Sequence, residues 1–211
     1  MGASLAPAAM DAPDTLPFAC ACGTITGAIE QARPDQGDRV VCHCRDCRDL
    51  VRHLGQGDRV LDANGGTDLY QSRCARVKIH GGGERLATLH MTEGKTLRWY
   101  AECCNAPLFN TYANGRLPYV TTLLANTDAA QRERLLGQPL GHLFIEQATG
   151  DASGLEPLSF AALMRRFFRR MIKDIVSGDR RRSALFDPQT LAPIAAPRRL
   201  TAEEQAALGR A

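Results

Sequence analysis

The chain has 211 residues, of which 44% are hydrophobic, and a formal net charge of +3. This length suits one domain or a domain with an appendage, and the apolar content is enough for a packed core. The near-neutral charge argues against a nucleic-acid-binding protein, the zinc-ribbon type included. No run reaches the roughly 18 consecutive apolar residues of a membrane span, and the first fifteen residues do not resemble a secretory signal. We therefore expect a cytoplasmic protein.

The order of predicted elements favours a mainly β protein with a helical C-terminal extension. Residues 1–16, rich in Ala, Pro and Asp, are predicted to be disordered. The next region, 17–154, is predicted to form the folded β domain, because it contains several short runs typical of strands, the first of them alternating. Those runs lie at residues 18–30, 39–42, 67–79 and 117–124, and a hairpin links residues 86–91 to 96–100 through a turn at 93–95.

The remaining residues, 155–211, are predicted to hold an amphipathic helix followed by an extended tail that closes with a short polar helix. Ser159 is a suitable N-cap for the first helix, and Gly178 a suitable stop. The apolar stripe of that helix is expected to pack on its own domain or on a second copy in a homodimer. Contact of its basic face with an anionic membrane or nucleic acid is the less favoured reading. The stripe comprises Leu163, Met164, Phe167, Phe168, Met171, Ile172 and Ile175, and the basic face Arg165, Arg166, Arg169, Arg170 and Lys173.

The sequence contains eight cysteines. A cytosolic compartment keeps thiols reduced, which disfavours a disulfide framework and favours metal ligation. Cys74 is isolated and is expected to be a buried, small apolar residue. The other cysteines form three clusters: Cys20 with Cys22, then Cys42, Cys44 and Cys47, and finally Cys103 with Cys104.

The first and last clusters can together supply a closed zinc site. A Cys-x-Cys turn offers two thiolates from one short loop, and a second loop far along the chain can complete a tetrahedron. Cys20, Cys22 and Cys104 fit this role directly. Cys103 requires a sharp bend, because adjacent residues on an extended chain point in opposite directions.

The middle cluster places three thiolates within six residues, with no obvious fourth ligand nearby. Three protein ligands leave one zinc position open for a substrate, as in catalytic sites, whereas a fourth ligand would make the site closed and inert. The residues alone leave both readings open. Arg45 and Arg48 flank the cluster and Arg98 precedes the last one; such guanidinium groups either grip substrate carboxylates or are ordinary solvated charges.

The motifs C-x-C-G at 20–23, C-H-C-x-x-C at 42–47 and Cys104 followed by Pro107-Leu108 resemble the glutathione-dependent formaldehyde-activating enzyme family. That family includes the centromere protein V-like domains, and the resemblance covers residues 17–125. It implies a β-tent of small antiparallel sheets around two zinc ions. In this resemblance the first and last clusters hold a structural zinc. Cys42, Cys44 and Cys47 then hold the catalytic one, where the glutathione thiol meets formaldehyde.

The last cluster departs from the family pattern, because Ala101 replaces the first cysteine of C-x-x-C-G and Asn105 replaces the glycine. The chain therefore resembles a divergent branch whose chemistry need not be formaldehyde activation. Two functions remain open. One is a zinc-dependent carbon–sulfur lyase or synthase acting on a small thiol adduct of an aldehyde, with glutathione the first candidate thiol and Arg45 and Arg48 its contacts. The other is a non-catalytic, zinc-stabilised binding module.

Overall fold

The computed structural model describes residues 14–94 and 96–210. Most of the segment predicted to be disordered, residues 1–13, lies outside the described residues, as does the turn residue Lys95. Within the described part, eleven strands and five α-helices follow one another, and the strands form two sheets. The prediction of a mainly β fold with a C-terminal helix is confirmed. No helix in the described ranges has the length and apolarity to cross a membrane.

The smaller sheet has three strands in the order β1-β2-β5 and is antiparallel throughout. Strands β1 and β2 form a hairpin, and the loop between them carries Cys20 and Cys22. The alternating run predicted at 18–30 is therefore two strands rather than one. The bounds are Leu16–Ala19 for β1, Thr26–Ile29 for β2 and Val77–Gly81 for β5.

The larger sheet has eight strands in the order β10-β3-β4-β9-β8-β7-β6-β11. Its six central strands pair antiparallel, while the short outer strands β10 and β11 pair parallel to their neighbours. One sheet is therefore larger than the small sheets that the family resemblance implies. The bounds are β3 Asp38–Cys42, β4 Thr67–Arg73, β6 Leu86–His90, β7 Thr96–Ala101, β8 Pro107–Tyr112, β9 Tyr119–Leu123, β10 His142–Leu143 and β11 Pro197–Arg199.

The two faces of the larger sheet have different surroundings because successive side chains of a strand point to opposite sides. One face is apolar and contributes Tyr70, Leu97, Trp99, Phe109 and Val120 to the main core, which it shares with the smaller sheet. The opposite face is partly polar and carries the middle cysteine cluster at one end. The helices α1 and α4 lie on that side.

The helices are short except for α4. Their bounds are Arg45–His53 for α1, Gly57–Val60 for α2, Ala129–Leu136 for α3, Phe160–Ser177 for α4 and Ala202–Ala207 for α5. The predicted start and end of α4 are confirmed: the Ser159 hydroxyl accepts a hydrogen bond from the Ala162 amide, and Gly178 is left-handed with φ 76°. α5 begins with a capping box between Thr201 and Glu204.

Helix α4 docks on its own chain through part of the predicted stripe. Leu163, Phe167 and Met171 are buried, which confirms the packing prediction for these residues. Phe168 and Ile172 remain exposed, since they lie on the flank of the helix that faces solvent. Ion pairs reinforce the docking: Arg166 and Arg170 both contact the buried Asp38, and the buried pair Arg73–Asp174 joins β4 to α4.

Candidate metal centres and the adjoining cavity

The first and last cysteine clusters come together into one group of four sulfur atoms, from Cys20, Cys22, Cys103 and Cys104. All four lie within 4.8 Å of one another. The sulfur of Cys103 lies 3.8 Å from that of Cys20, 3.3 Å from that of Cys22 and 4.0 Å from that of Cys104. The group thus joins the hairpin of the smaller sheet to the end of β7 in the larger one.

Two tight turns present these four thiols. In the first, Gly23 is left-handed at φ 77° and its amide donates to the Cys20 carbonyl. In the second, the amides of Cys104 and Asn105 both donate to the Ala101 carbonyl, and Asn105 is left-handed at φ 56°. This is the bend that Cys103 requires. Ala101 is itself buried in β7, so Cys103 supplies the sulfur that the family pattern expects two residues earlier.

The four-cysteine group suits a tetrahedral metal ion. Two sulfurs bound at about 2.3 Å to one tetrahedral zinc lie about 3.8 Å apart, and disulfide sulfurs lie about 2.05 Å apart. The observed spacings of 3.3–4.0 Å match the first value. Hydrogen bonds with the hydroxyl and backbone of Thr24 lower the pKa of Cys22 to about 6, which favours the thiolate that a metal requires.

The middle cluster forms at the junction of β3 and α1. Cys42 ends the strand, Cys44 is the N-cap of the helix and Cys47 lies in its first turn. The three sulfur atoms lie within 4.8 Å of one another, and those of Cys42 and Cys47 are 3.8 Å apart. The positive end of the helix dipole favours thiolates at Cys44 and Cys47. No fourth His, Cys, Asp or Glu of residues 14–94 and 96–210 joins this group.

A buried guanidinium lies against the middle cluster. Arg98 of β7 is 6% exposed, and its Nη1 donates to the Cys47 sulfur at 3.6 Å. Hydrogen bonds with the Cys42 and Cys44 thiols, together with the charge of Arg98, hold the pKa of Cys47 well below its ordinary value. Hydrogen bonds with Cys44 and Cys47, followed by burial, raise the pKa of Cys42, and the pKa of Cys44 is raised as well. Without a metal, one anionic sulfur is therefore favoured, that of Cys47, and Arg98 offsets its negative charge.

The three cysteines line a cavity of about 250 Å³ between the polar face of the larger sheet and α4. Five consecutive strands, β3-β4-β9-β8-β7, form its floor. A row of residues that lie opposite one another in register crosses that floor, and every side chain in it is buried. The row comprises Asp38, Gln71, Thr121, Asn110 and Arg98, of which all but Asp38 line the cavity.

Helix α4 forms the roof of the cavity. Phe160, Leu163, Met164 and Phe167 line it from above, and Phe144 contributes from the segment after β10. Phe167 also packs edge-on against Tyr119, with ring centroids 5.2 Å apart. The cysteine cluster therefore opens onto a space with a polar floor and an apolar roof.

The predicted substrate contacts Arg45 and Arg48 do not line this cavity. The Arg45 guanidinium pairs with Asp49 and donates to the Gly209 carbonyl, and it lines a separate cavity of about 520 Å³ that contains no cysteine. The Arg48 guanidinium donates to the carbonyls of His43 and Gln147. The helical turn explains this placement, since residues next to Cys44 and Cys47 in sequence project about 100° away from them.

Cys74 is buried, as predicted, and His43 and Trp99 hydrogen-bond to groups other than the cluster sulfurs. His43 contacts no sulfur of the cluster; its ring bonds the Asn64 carbonyl and His142 instead. Cys74 is fully buried and donates to the Tyr119 carbonyl. Trp99 lies in the core, where its indole donates to the Thr111 hydroxyl.

Sequence reasoning missed the floor and the roof of the cavity. Strand β8, which provides Asn110, was not predicted, and the α4 residues were expected only to pack. The available signal was the two-residue alternation of Asn110 with Tyr112 and of Tyr119 with Thr121, which places each pair on one face. Which strands lie side by side cannot be read from that alternation.

Comparison with known proteins identifies a family. No curated protein matches the chain. Among solved structures, it is similar to a Rhodobacter sphaeroides protein from structural genomics, at 14% identity and a TM-score of 0.38, covering 57% of this chain and 98% of that one. A likeness this distant carries no argument about function, and these comparisons leave the formaldehyde-activating resemblance as an interpretation of the motifs. The profile of DUF6151, a family of unknown function, matches residues 13–195, and the chain therefore belongs to that family.

Proposed function

We propose that this protein binds a small thiol at a zinc ion held by Cys42, Cys44 and Cys47, and acts as a carbon–sulfur lyase or synthase on the aldehyde adduct of that thiol. The observation that carries the proposal is the three-sulfur cluster opening onto a cavity. Three soft ligands without a fourth are typical of a zinc site that keeps one position for substrate. The Cys20, Cys22, Cys103 and Cys104 group is, in this proposal, a closed structural zinc site.

A bound zinc ion would lower the pKa of a substrate thiol and so keep it deprotonated at neutral pH. The residues of the chain set the charge around it. Zn²⁺ with three thiolates carries one net negative charge, which weakens the attraction for a further anionic sulfur. The Arg98 guanidinium restores neutrality from within hydrogen-bond range of Cys47. In this proposal Arg98, and not Arg45 or Arg48, compensates the charge of the cluster.

The proposed reaction needs no redox cofactor. The substrate sulfur donates an electron pair to the aldehyde carbon and forms the carbon–sulfur bond. The carbonyl π bond opens, and the proton lost by the thiol ends on the former carbonyl oxygen. Cleavage of the adduct is the reverse of these changes. Residues on the cavity floor can bond the resulting hydroxyl, because Asn110 and Thr121 lie on the same side of the sheet as the cysteines.

The test is thiol titration of zinc-loaded protein, with the zinc content measured beforehand. We expect two zinc ions per chain and binding of a small thiol in the wild type. Cys44→Ser should keep the zinc of the four-cysteine group and lose both the second ion and thiol binding. If no small thiol, glutathione included, binds at millimolar concentration while both ions are present, the catalytic proposal is wrong.

That outcome would favour the alternative, a non-catalytic module stabilised by zinc. The exposed flank of α4 gives this alternative a specific basis. Phe168 is 52% exposed, Ile172 59% and Val176 82%, so that flank presents apolar surface beside basic side chains. Such a surface can serve protein association whether or not the cysteine cluster binds a substrate.

A further inference from the structure

The cavity beside Cys42, Cys44 and Cys47 is poor in charge. Among the residues that the structure describes, Arg98 is the one charged side chain that lines it besides the thiols, and its Nη1 is already directed at Cys47. The lining of the described structure includes no carboxylate and no lysine. A ligand with several charged groups would therefore lose hydration without gaining ionic partners inside the cavity.

The roof of the cavity is hydrocarbon and aromatic. Leu163 and Phe167 are buried on the side of α4 that faces the sheet. Phe160, Met164 and Phe144 extend the apolar lining toward solvent. Phe160 is 61% exposed and Phe144 42% exposed, so apolar surface continues beyond the cavity. This lining favours a ligand that buries an apolar or aromatic group there.

The floor of the cavity contains a hydrogen-bond acceptor that lacks a donor. Asn110 is 4% exposed, and its Nδ2 donates to the Thr121 hydroxyl at 2.9 Å. Its Oδ1 has no hydrogen-bond partner among the described residues. A buried oxygen without a hydrogen-bond donor destabilises the protein, so a ligand that brings one hydroxyl would be favoured. The adduct of a thiol and an aldehyde carries such a hydroxyl next to its sulfur.

The volume of the cavity also favours a small ligand. A volume of about 250 Å³ lies below the roughly 300–1,000 Å³ of pockets for drug-sized ligands. Glutathione carries two carboxylates and one ammonium group on an extended tripeptide. Most of that molecule would lie outside the cavity, against the apolar residues Phe144 and Phe160.

Building on the proposed function, we propose that the thiol this protein accepts is compact and uncharged, with an apolar or aromatic substituent, and is not glutathione. The sulfur lies at the cysteine cluster, the substituent contacts the α4 roof, and the adduct hydroxyl donates to Asn110. The α4 roof, which lies outside the region of family resemblance at 17–125, thus determines specificity.

The experiment is calorimetric titration of the zinc-loaded full chain with phenylmethanethiol and with glutathione, and with phenylmethanol as the probe that lacks sulfur. We expect phenylmethanethiol to bind at least tenfold more tightly than either of the others. Glutathione binding as well as phenylmethanethiol would overturn the substrate class and leave the proposed function standing. If neither of these two thiols binds while both zinc ions are present, this inference is wrong; the proposed function is wrong as well only if the wider titration with small thiols is also negative.

Two variants of α4 test the roof directly. Met164→Glu places a carboxylate in the apolar lining and should weaken phenylmethanethiol binding at least tenfold, with zinc content unchanged. Ile172→Glu is the matched control, because Ile172 is 59% exposed and does not line the cavity. Equal binding by Met164→Glu and Ile172→Glu, both folded and zinc-loaded, would refute contact with the roof.

Discussion

At the scale of single residues, the structure shows which arginine approaches a cysteine sulfur and how Cys103 joins the four-cysteine group. Arg45, Arg48 and Arg98 are all close to a cysteine cluster along the chain, yet only Arg98 approaches a sulfur. Burial strengthens this contact, because the interaction of charges grows as the surrounding dielectric constant falls. Cys103 similarly lies in the four-sulfur group because a turn, not a strand, follows Ala101.

We predict that Arg98→Met weakens metal binding at the three-cysteine cluster by tenfold or more. Removal of the guanidinium leaves the negative charge of the thiolates uncompensated, and a tenfold loss corresponds to about 1.4 kcal/mol. Chelator competition with the purified protein measures this affinity. Arg48→Met is the control and should change it little, since the guanidinium of Arg48 donates to backbone carbonyls, and to no sulfur, within the described part of the chain. Equal losses in the two variants would contradict the role of Arg98.

If the four-cysteine group binds a metal as proposed, we predict that Cys103→Ser loses that metal and lowers the free energy of unfolding by more than about 3 kcal/mol, because a structural metal contributes folding free energy. Metal analysis and urea unfolding measure the two effects. Cys74→Ala should keep its full metal content, since Cys74 is buried away from both groups. Retention of metal by Cys103→Ser would show that another ligand completes the site.

At the scale of elements, α4 has one face that packs and one that does not. Two adjacent phenylalanines lie on different faces, because consecutive positions of a helix point about 100° apart. Phe167 is 2% exposed and touches Tyr119 of β9, whereas Phe168 is 52% exposed. The helix is held at a fixed height over the sheet by Phe167, by Arg166 and Arg170 on Asp38, and by Asp174 on Arg73.

The neighbouring phenylalanines make a matched pair for testing this docking. Phe167→Ala should lower the free energy of unfolding by about 3–5 kcal/mol, because it removes a buried ring and enlarges the cavity beneath it. Phe168→Ala should cost less than about 1 kcal/mol, since most of that ring is in contact with solvent. Denaturant unfolding compares the two. Similar values for both variants would mean that α4 does not pack as described.

At the scale of the whole molecule, pH should change stability through His142. This residue links β10 to the start of α1, since its Nδ1 lies 2.9 Å from Nε2 of the buried His43. Burial, followed by the charge of His43, lowers the pKa of His142 below its ordinary value of 6.5. The folded state therefore binds fewer protons than the unfolded state in the range just below that value.

The sign of the effect follows from the lowered pKa. The contribution of His142 to the free energy of unfolding is fully present above its ordinary pKa of 6.5. It is lost as the pH falls through the lower pKa that His142 has in the folded state. Unfolding free energy, measured from about pH 7 to pH 5, should fall less steeply in His142→Gln than in the wild type. The difference in slope cannot exceed about 1.4 kcal/mol per pH unit. Identical slopes would show that His142 does not contribute.

Much of the fold follows from local patterns. Alternation in 39–42, 67–79 and 117–124 and the hairpin at 86–100 correspond to observed strands, and Ser159 and Gly178 bound α4 as expected. Helix α1 was not predicted, because the segment is short, mostly polar and overlaps the cysteine motif, so it lacks a clear helical apolar pattern. Strand β8 was missed in the same way, since Asn110 and Thr111 interrupt its apolar pattern.

The sequence by itself determined that the cysteines form clusters suited to a metal, because ligand spacing is a local property of the chain. Only the tertiary structure decided which clusters meet, which arginine faces a sulfur and what covers the middle cluster. Those outcomes depend on strand order and register, which bring Arg98, Asn110, Thr121 and Gln71 into one row from distant parts of the chain. No local pattern encodes that row, since the pairing of strands is set by the packing of the whole sheet against α4 and the core.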